Sequence, residues 1–195
     1  QPAHDPATAY MAVTRYKSDD LKPYLFKTNN YGKSWKMISK GIPDDAFTRV
    51  VREDPKRKGL LYAGTETGMY ISFDDGKNWQ SFQLNLPIVP ITDLAVKEND
   101  LVVGTQGRSF WILDDLTPLH QLSDKIAKAT SHLYEPRITF RMSGGSRWGG
   151  SSSAGENPPN GVMTFYYLKD EIAKDDTITL EYMEVNGEVI KIFSN

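Results

Sequence analysis

No cysteine occurs among the 195 residues. Disulfides, zinc-thiolate sites and cysteine nucleophiles are therefore excluded. No apolar run approaches the ~18 residues a membrane-spanning helix needs, so no membrane span is expected. Neither sign of charge is in surplus: 23 Lys and Arg stand against 25 Asp and Glu, a net charge of −2. That near-balance argues against a nucleic-acid binder, whose segments carry a basic excess. The first residues, Gln1-Pro2-Ala3-His4, hold no Met, no basic patch and no apolar stretch, so they read neither as a signal peptide nor as a native start. Global disorder is excluded, because hydrophobic residues make up 39% and aromatic residues 11% of the chain, enough for a packed core.

A repeat is present. Leu60-Leu61-Tyr62-Ala63-Gly64-Thr65 and Leu101-Val102-Val103-Gly104-Thr105 are both apolar strands ending in Gly-Thr, and their glycines are 40 residues apart. Upstream, Thr28-Asn29-Asn30-Tyr31-Gly32-Lys33-Ser34-Trp35 parallels Ser72-Phe73-Asp74-Asp75-Gly76-Lys77-Asn78-Trp79, with the tryptophans 44 apart. Short strands and turn residues at a period of about 40–45 residues describe a β-propeller blade.

Alternation and β-branched or aromatic content predict strands over 9–15, 23–27 and 35–38 in the first repeat. The second repeat gives 47–53, 60–64, 68–73 and 79–83, one full blade. The third gives 91–96, 101–104 and 109–113, with a weak fourth strand near Leu119 to Leu122. The first repeat lacks its innermost strand. The predicted fold is thus all-β: a partial β-propeller of about two and three-quarter four-stranded blades over 1–122, followed by an incomplete β-sandwich. Residues 123–135 read as a linker with a short helix capped by Ser123. Residues 136–195 read as the start of an immunoglobulin- or fibronectin-like sandwich. It has a strand over 136–142, a Gly/Ser-rich loop at 143–161, a strand over 162–168 and a hairpin turning at Asn186-Gly187.

Ser72, Asp74, Gly76 and Trp79 fit Ser-x-Asp-x-Gly-x-x-Trp in full. The spacing has a local chemistry. Ser and Asp side chains hold the amides of a tight turn, Gly takes a positive φ, and Trp supplies burial. Thr28, Asn30, Gly32 and Trp35 form a milder copy. In the third repeat Asp114 remains, but Leu116 and Leu119 replace Gly and Trp. Full box, near-box and blade period together resemble the Asp-box, or BNR-repeat, β-propellers, the architecture shared by sialidases, xyloglucanase-type glycosidases and sortilin-type receptors. Phe47 through Leu116 and Gly155-Glu156-Asn157-Pro158-Pro159-Asn160-Gly161 look most like large bacterial glycosyl-hydrolase-like BNR-repeat proteins. The absence of cysteine fits a bacterial source better than the disulfide-rich animal sortilins. The resemblance implies an extracytoplasmic setting. It also implies that further blades, of the same parent or of another chain, complete the ring.

In such propellers the boxes lie on the face opposite the ligand, so the box residues are expected to be structural. Loops on the other face gather at the channel. That selects Asp44 and Asp45 in the connection between the first two blades, Glu66 beside Thr67, and Gln106 with Arg108, whose guanidinium suits a carboxylate or phosphate. Trp148, next to Arg147, could stack on a sugar or anchor a domain interface. Arg49, Arg52 and Arg108 show no spacing that establishes a sialidase arginine cluster. A glycosidase needs two carboxylates ~5–9 Å apart, which adjacent Asp residues in turns do not supply. His4, His120 and His132 lack metal-ligand spacing, and Lys56-Arg57-Lys58 reads as a solvated turn on the box face. No cofactor, metal site, catalytic residue or nucleic-acid partner is implied. The reading favours a non-catalytic binding or scaffolding segment for a glycan or peptide. The alternatives are part of a glycoside hydrolase whose carboxylates lie partly in other blades, and a structural piece of a surface assembly.

Overall fold

A computed structural model describes residues 4–140, 159, 161–171, 173 and 176–194. Trp148 and the stretch 141–158 lie outside the described residues. Three antiparallel meanders come first. The first joins β1 (Ala9–Arg15), β2 (Asp20–Thr28) and β3 (Lys36–Met37), with a single 3-10 turn at Tyr16–Ser18 after β1. The second joins β4 (Thr48–Glu53), β5 (Leu61–Thr65), β6 (Met69–Ser72) and β7 (Gln80–Ser81). The third joins β8 (Ile91–Lys97), β9 (Asp100–Thr105) and β10 (Phe110–Leu113). The chain is all-β, and these sheets are the blades of a partial β-propeller.

The middle sheet is buried on both faces, and β5 is accordingly buried at every position rather than alternating. Successive strand residues point to opposite faces. Val50, Leu60, Tyr62 and Ile71 accordingly pack toward the third sheet, with Leu94, Leu101 and Val103. Val51, Leu61, Ala63 and Trp79 pack toward the first, with Leu25, Ile38 and Ile42. Both glycines of the repeated Gly-Thr sit opposite a bulge, and at Gly64 close packing requires the glycine. Gly64 pairs with Val50 across a bulge in β4, and Gly104 pairs with Asp93 across a matching bulge in β8. A Cβ on Gly64 would lie 2.6 Å from Ile91 Cγ2, so only glycine lets the third sheet approach this closely.

The third repeat ends differently from expectation. Residues 117–121 form helix α1 (Thr117–Gln121), not a fourth strand near Leu119 to Leu122. Two consecutive positive φ angles turn the chain back in the first two repeats: Tyr31 at 58° with Gly32 at 80°, and Asp75 at 64° with Gly76 at 80°. In the third, Asp115 reaches 64° but Leu116 sits at −75° and enters the helix instead. A leucine resists the second left-handed step, and Pro118 favours a first helical turn. Leu116 is buried and Leu119 packs against the same core.

Helix α2 (Asp124–Lys128) starts where expected, with the Ser123 hydroxyl accepting from the Ile126 amide at 3.4 Å. β11 (Ser131–Leu133) then pairs with β12 (Tyr166–Leu168), and β13 (Thr179–Met183) with β14 (Val189–Ser194). Gly187 takes a φ of 89° in the turn of the second pair. The strand expected over 136–142 is not formed among its described residues, 136–140, which join no ladder. Pro136 has no N–H to give to a ladder. Arg137 instead turns back to the carboxylates of Asp100, at 3.5 Å, and Asp115, at 3.9 Å.

Candidate functional site

Strand direction alternates along each meander. The segments 16–19, 38–47, 66–68, 82–90 and 106–109 therefore emerge at one end, here the upper end. Asp44, Asp45, Glu66, Gln106 and Arg108 all lie on these segments. The repeated threonine shapes two of the loops. Thr65 Oγ1 accepts from the amides of Thr67, at 3.2 Å, and Gly68, at 3.1 Å, and donates to the Gly68 carbonyl at 2.9 Å. Thr105 Oγ1 accepts from the Arg108 amide and donates to the Ser109 carbonyl at 2.6 Å. Each hydroxyl satisfies backbone groups that a tight loop would otherwise leave open.

Glu66 is not free. Its Oε2 accepts from Arg49 Nε at 2.7 Å and pairs with Nη2 at 2.6 Å. The Arg49 guanidinium also stands over the Phe47 ring at 5.1 Å, and Phe47 stacks on Tyr16 at 5.1 Å. This Tyr16–Phe47–Arg49–Glu66 row was not expected from sequence. Its one local signal is the bulge at Arg49, which re-aims that side chain.

Arg108 is exposed, and its guanidinium has no partner among the described residues. Its carbonyl accepts from Trp111 Nε1 at 3.0 Å, which steadies the loop. The Gln106 amide N–H donates to the Pro90 carbonyl at 2.9 Å and leaves the side chain exposed.

Asp44 and Asp45 line an open groove of about 670 Å³ with Asp19, Asp20, Leu21 and Lys22. The Tyr24 hydroxyl, donating at 2.8 Å, holds the Asp20 carboxyl below its ordinary value, helped by the Lys22 amide and Arg15. The upper end thus holds three separate features: an acidic groove, a neutralised Arg49–Glu66 pair and an open cationic loop. Arg52 does not join Arg49 and Arg108. It donates to the Leu94 carbonyl and pairs with Asp93 at 2.6 Å.

The box residues lie at the opposite, lower end. Gly76 N donates to Ser72 Oγ at 3.0 Å, Ser72 Oγ to Asp74 Oδ1 at 2.9 Å, and Asn78 N to the same oxygen at 2.9 Å. The first copy repeats this with Gly32 N to Thr28 Oγ1 at 3.1 Å, Thr28 Oγ1 to Asn30 Oδ1 at 2.9 Å, and Ser34 N to Asn30 Oδ1 at 3.0 Å. Burial raises the Asp74 carboxyl, but hydrogen bonds from Asn78 and Ser72 outweigh it and leave the group below its ordinary value. The two tryptophans differ. Trp79 is 5% exposed and donates Nε1–H to the Ile38 carbonyl at 2.6 Å, whereas Trp35 is 42% exposed.

A buried network at the lower end was also missed. Asp54 is fully buried. It accepts from the Lys56 and Arg57 amides at 2.8 and 2.9 Å and from the Tyr62 hydroxyl at 3.1 Å, and it meets His120 Nε2 at 2.9 Å. Burial raises the Tyr62 phenol, with Asp54 adding to the shift. His120 thereby ties α1 to the middle sheet. The turn at 56–58 is only partly solvated, because Arg57 lies over Phe73 at 5.1 Å and donates to the Leu119 carbonyl. Among the described residues no group of His, Asp and Glu is placed to hold a metal ion, and no helix is long and apolar enough to cross a membrane.

No protein-family model and no curated protein matches the chain. Solved structures do. A structure of YCF48 bound to D1 peptide shares 23% identity, covers 47% of this chain and 31% of its own, and has a TM-score of 0.35. An ancestral GH74 enzyme shares 12% identity, covers 98% of this chain and 26% of its own, and has a TM-score of 0.43. The chain therefore spans about a third or less of the length of either.

Proposed function

We propose that the chain is a segment of an extracytoplasmic Asp-box β-propeller protein whose upper-end loops bind a glycan or a peptide without cleaving it. The convergence of Asp44, Asp45, Glu66, Gln106 and Arg108 on one end carries this reading, since binding groups gather on loops positioned by a rigid scaffold. Arg108 offers an uncommitted fork of donors for a carboxylate or phosphate. Gln106 can donate or accept beside it. Glu66, held through one oxygen, retains the other as an acceptor. In this reading further blades, of the parent or of another chain, complete the ring. The wet face of Trp35 and the open edge of β10, where Phe110 is 76% and Ile112 60% exposed, support that. The ladders from β11 to β14 begin the following sandwich.

The hydrolase reading is the weaker one. Glu66 is engaged by Arg49, and Asp44 and Asp45 belong to a separate groove, so an acid and nucleophile pair across one bond would draw on blades outside this chain. Oligosaccharide and peptide arrays probed with the 195-residue chain and with Arg108→Ala test the proposal. Loss of a charge-assisted fork is expected to weaken the bound ligand about tenfold, with no reducing ends released. Equal binding by wild type and Arg108→Ala overturns the assignment of the site, and release of reducing ends overturns the non-catalytic reading.

A further inference from the structure

In two of the three blades the chain itself supplies the outermost strand. β3 lies beside β2, with Phe26 opposite Met37, and β7 beside β6, with Tyr70 opposite Ser81. Beside β10 no strand pairs among the described residues, so the third blade has an open fourth place. We propose that residues 137–140 of this same chain close onto the free edge of β10 as its fourth strand, with Ile138 opposite Ile112 and Phe140 opposite Phe110.

The backbone is the first support. Met69 and Phe110 hold matching places, each opposite the glycine of a Gly-Thr pair. The Met69 N–H donates to Gln83 Oε1 at 3.2 Å, and its carbonyl accepts from the Phe82 amide at 2.9 Å. Leu25 does the same in the first blade, donating to Ser39 Oγ at 2.9 Å and accepting from the Ile38 amide at 2.8 Å. The corresponding N–H and C=O of Phe110 have no partner among the described residues. Outward-pointing backbone groups recur every second residue along an edge, so those of Ile112 stand open beside them. Such groups are a template for an added strand.

The segment itself is the second support. Arg137 is tied to the lower end of this edge, 3.5 Å from Asp100 Oδ1 and 3.9 Å from Asp115 Oδ2. β10 runs down to that end, so a segment rising from Arg137 along it is antiparallel, as β3 and β7 are. Three extended residues reach about 10 Å, more than the two-residue step from Ile112 to Phe110. Pro136, which has no N–H, stays outside the ladder. The alternation fits as well. Ile38 and Phe82, the fourth-strand residues beside Leu25 and Met69, are apolar and pack in the cores, and Phe140 takes that place beside Phe110. Ile138 and Phe140 are 86% and 81% exposed, and on the ladder they share a face with Phe110 and Ile112. The strap fills the edge and leaves that face outward, so a neighbouring blade meets four apolar side chains instead of two. None of this depends on what the upper-end loops bind.

The chain has no cysteine of its own, so introduced pairs report without background. Facing residues of a hydrogen-bonded antiparallel pair have Cα atoms about 5.5 Å apart, within reach of a disulfide, whereas diagonal neighbours are about 7–8 Å apart and out of reach. In glutathione buffer, the 195-residue chain carrying Ile112→Cys with Ile138→Cys is expected to close within the monomer at least about tenfold faster than the chain carrying Ile112→Cys with Phe140→Cys. Amide hydrogen exchange followed by NMR gives a reading free of cross-links. Phe140→Pro removes the N–H given to the Phe110 carbonyl and should speed exchange of the Phe110 and Ile112 amides about tenfold. Thr139→Pro, whose lost N–H points away from β10, should leave them as in the wild type. Three results each overturn the proposal: equal closure of the two cysteine pairs, disulfides that join two chains rather than close one, or amide exchange unchanged by Phe140→Pro.

Discussion

Replacing Trp79 and Trp35 separately by Ala tests whether matching turns in two repeats contribute equally to stability. Their turn hydrogen bonds are alike, but their surroundings are not. A tryptophan taken fully out of water hides about 200 Å² of surface, about 5 kcal/mol of transfer free energy. Truncating a buried one costs about 3–5 kcal/mol. Trp79 also supplies the donor for the Ile38 carbonyl, and an acceptor left unpaired in the core adds about 1–3 kcal/mol. Trp79→Ala is therefore expected to cost about 4–6 kcal/mol, a large share of a total stability of about 5–15 kcal/mol. Trp35 keeps 42% of its surface wet and donates to no buried carbonyl among the described residues, so Trp35→Ala should cost about 1–2 kcal/mol. Trp79→Phe, which keeps a ring but not the N–H, falls between them at about 2 kcal/mol. Equilibrium urea unfolding followed by far-ultraviolet circular dichroism measures all three without relying on indole emission. Equal losses for Trp79→Ala and Trp35→Ala would refute the reasoning, since they would mean that packing against a neighbouring sheet does not set the cost. So would a loss under about 1 kcal/mol for Trp79→Ala.

Four further substitutions separate other causes. Gly76→Ala should cost about 2–3 kcal/mol, because φ is 80° and the new Cβ would lie 2.6 Å from Ile38 Cδ1. Gly187→Ala, at 89° but in open space, should cost about 1 kcal/mol, and thermal melts compare the two. Asp114→Asn should raise stability at neutral pH. Burial lifts this carboxyl above its ordinary 3.8, with Asp100 and Asp115 adding to the shift and Arg137 opposing it. The folded chain therefore binds that proton more tightly than the unfolded chain, and the ionised form opposes folding above the raised value. The advantage of Asn should shrink as pH falls through the folded pKa toward 3.8. Asp20→Asn should behave oppositely, losing at neutral pH a contribution that the native carboxylate makes above 3.8 and gives up as pH falls through its lowered value. Denaturation midpoints across pH that run parallel for wild type and Asp114→Asn would contradict this.

The strand order, the hairpin at Asn186-Gly187 and the cap at Ser123 were legible in the sequence because each depends on residues a few positions apart. So were the two box turns, whose hydroxyl, carboxyl or amide, and glycine are placed by covalent spacing alone. The same local logic explains the misread end of the third repeat. Leu116 stands where a second left-handed residue is needed, so the chain enters α1, and reading the missing glycine as a weakened turn rather than an abolished one produced the expected strand. For the candidate site, spacing placed Asp44, Asp45, Glu66, Gln106 and Arg108 at one end, because an antiparallel meander returns its loops to the same end every second strand.

Partners distant along the chain were not legible. Nothing local pairs Arg49 with Glu66, places Asp54 beside His120 across 66 positions, or lays Arg57 on Phe73. Nor does it tell Trp79 from Trp35, which sit in nearly the same words of sequence. Burial and pairing depend on which sheet lies across the gap, and that is a property of packing. By itself the sequence determined the repeat, the turn chemistry and the end of each loop, since these follow from short-range sterics and hydrogen bonding. Only the tertiary structure decided which polar groups are spent on holding sheets together and which, like the Arg108 guanidinium, have no partner among the described residues.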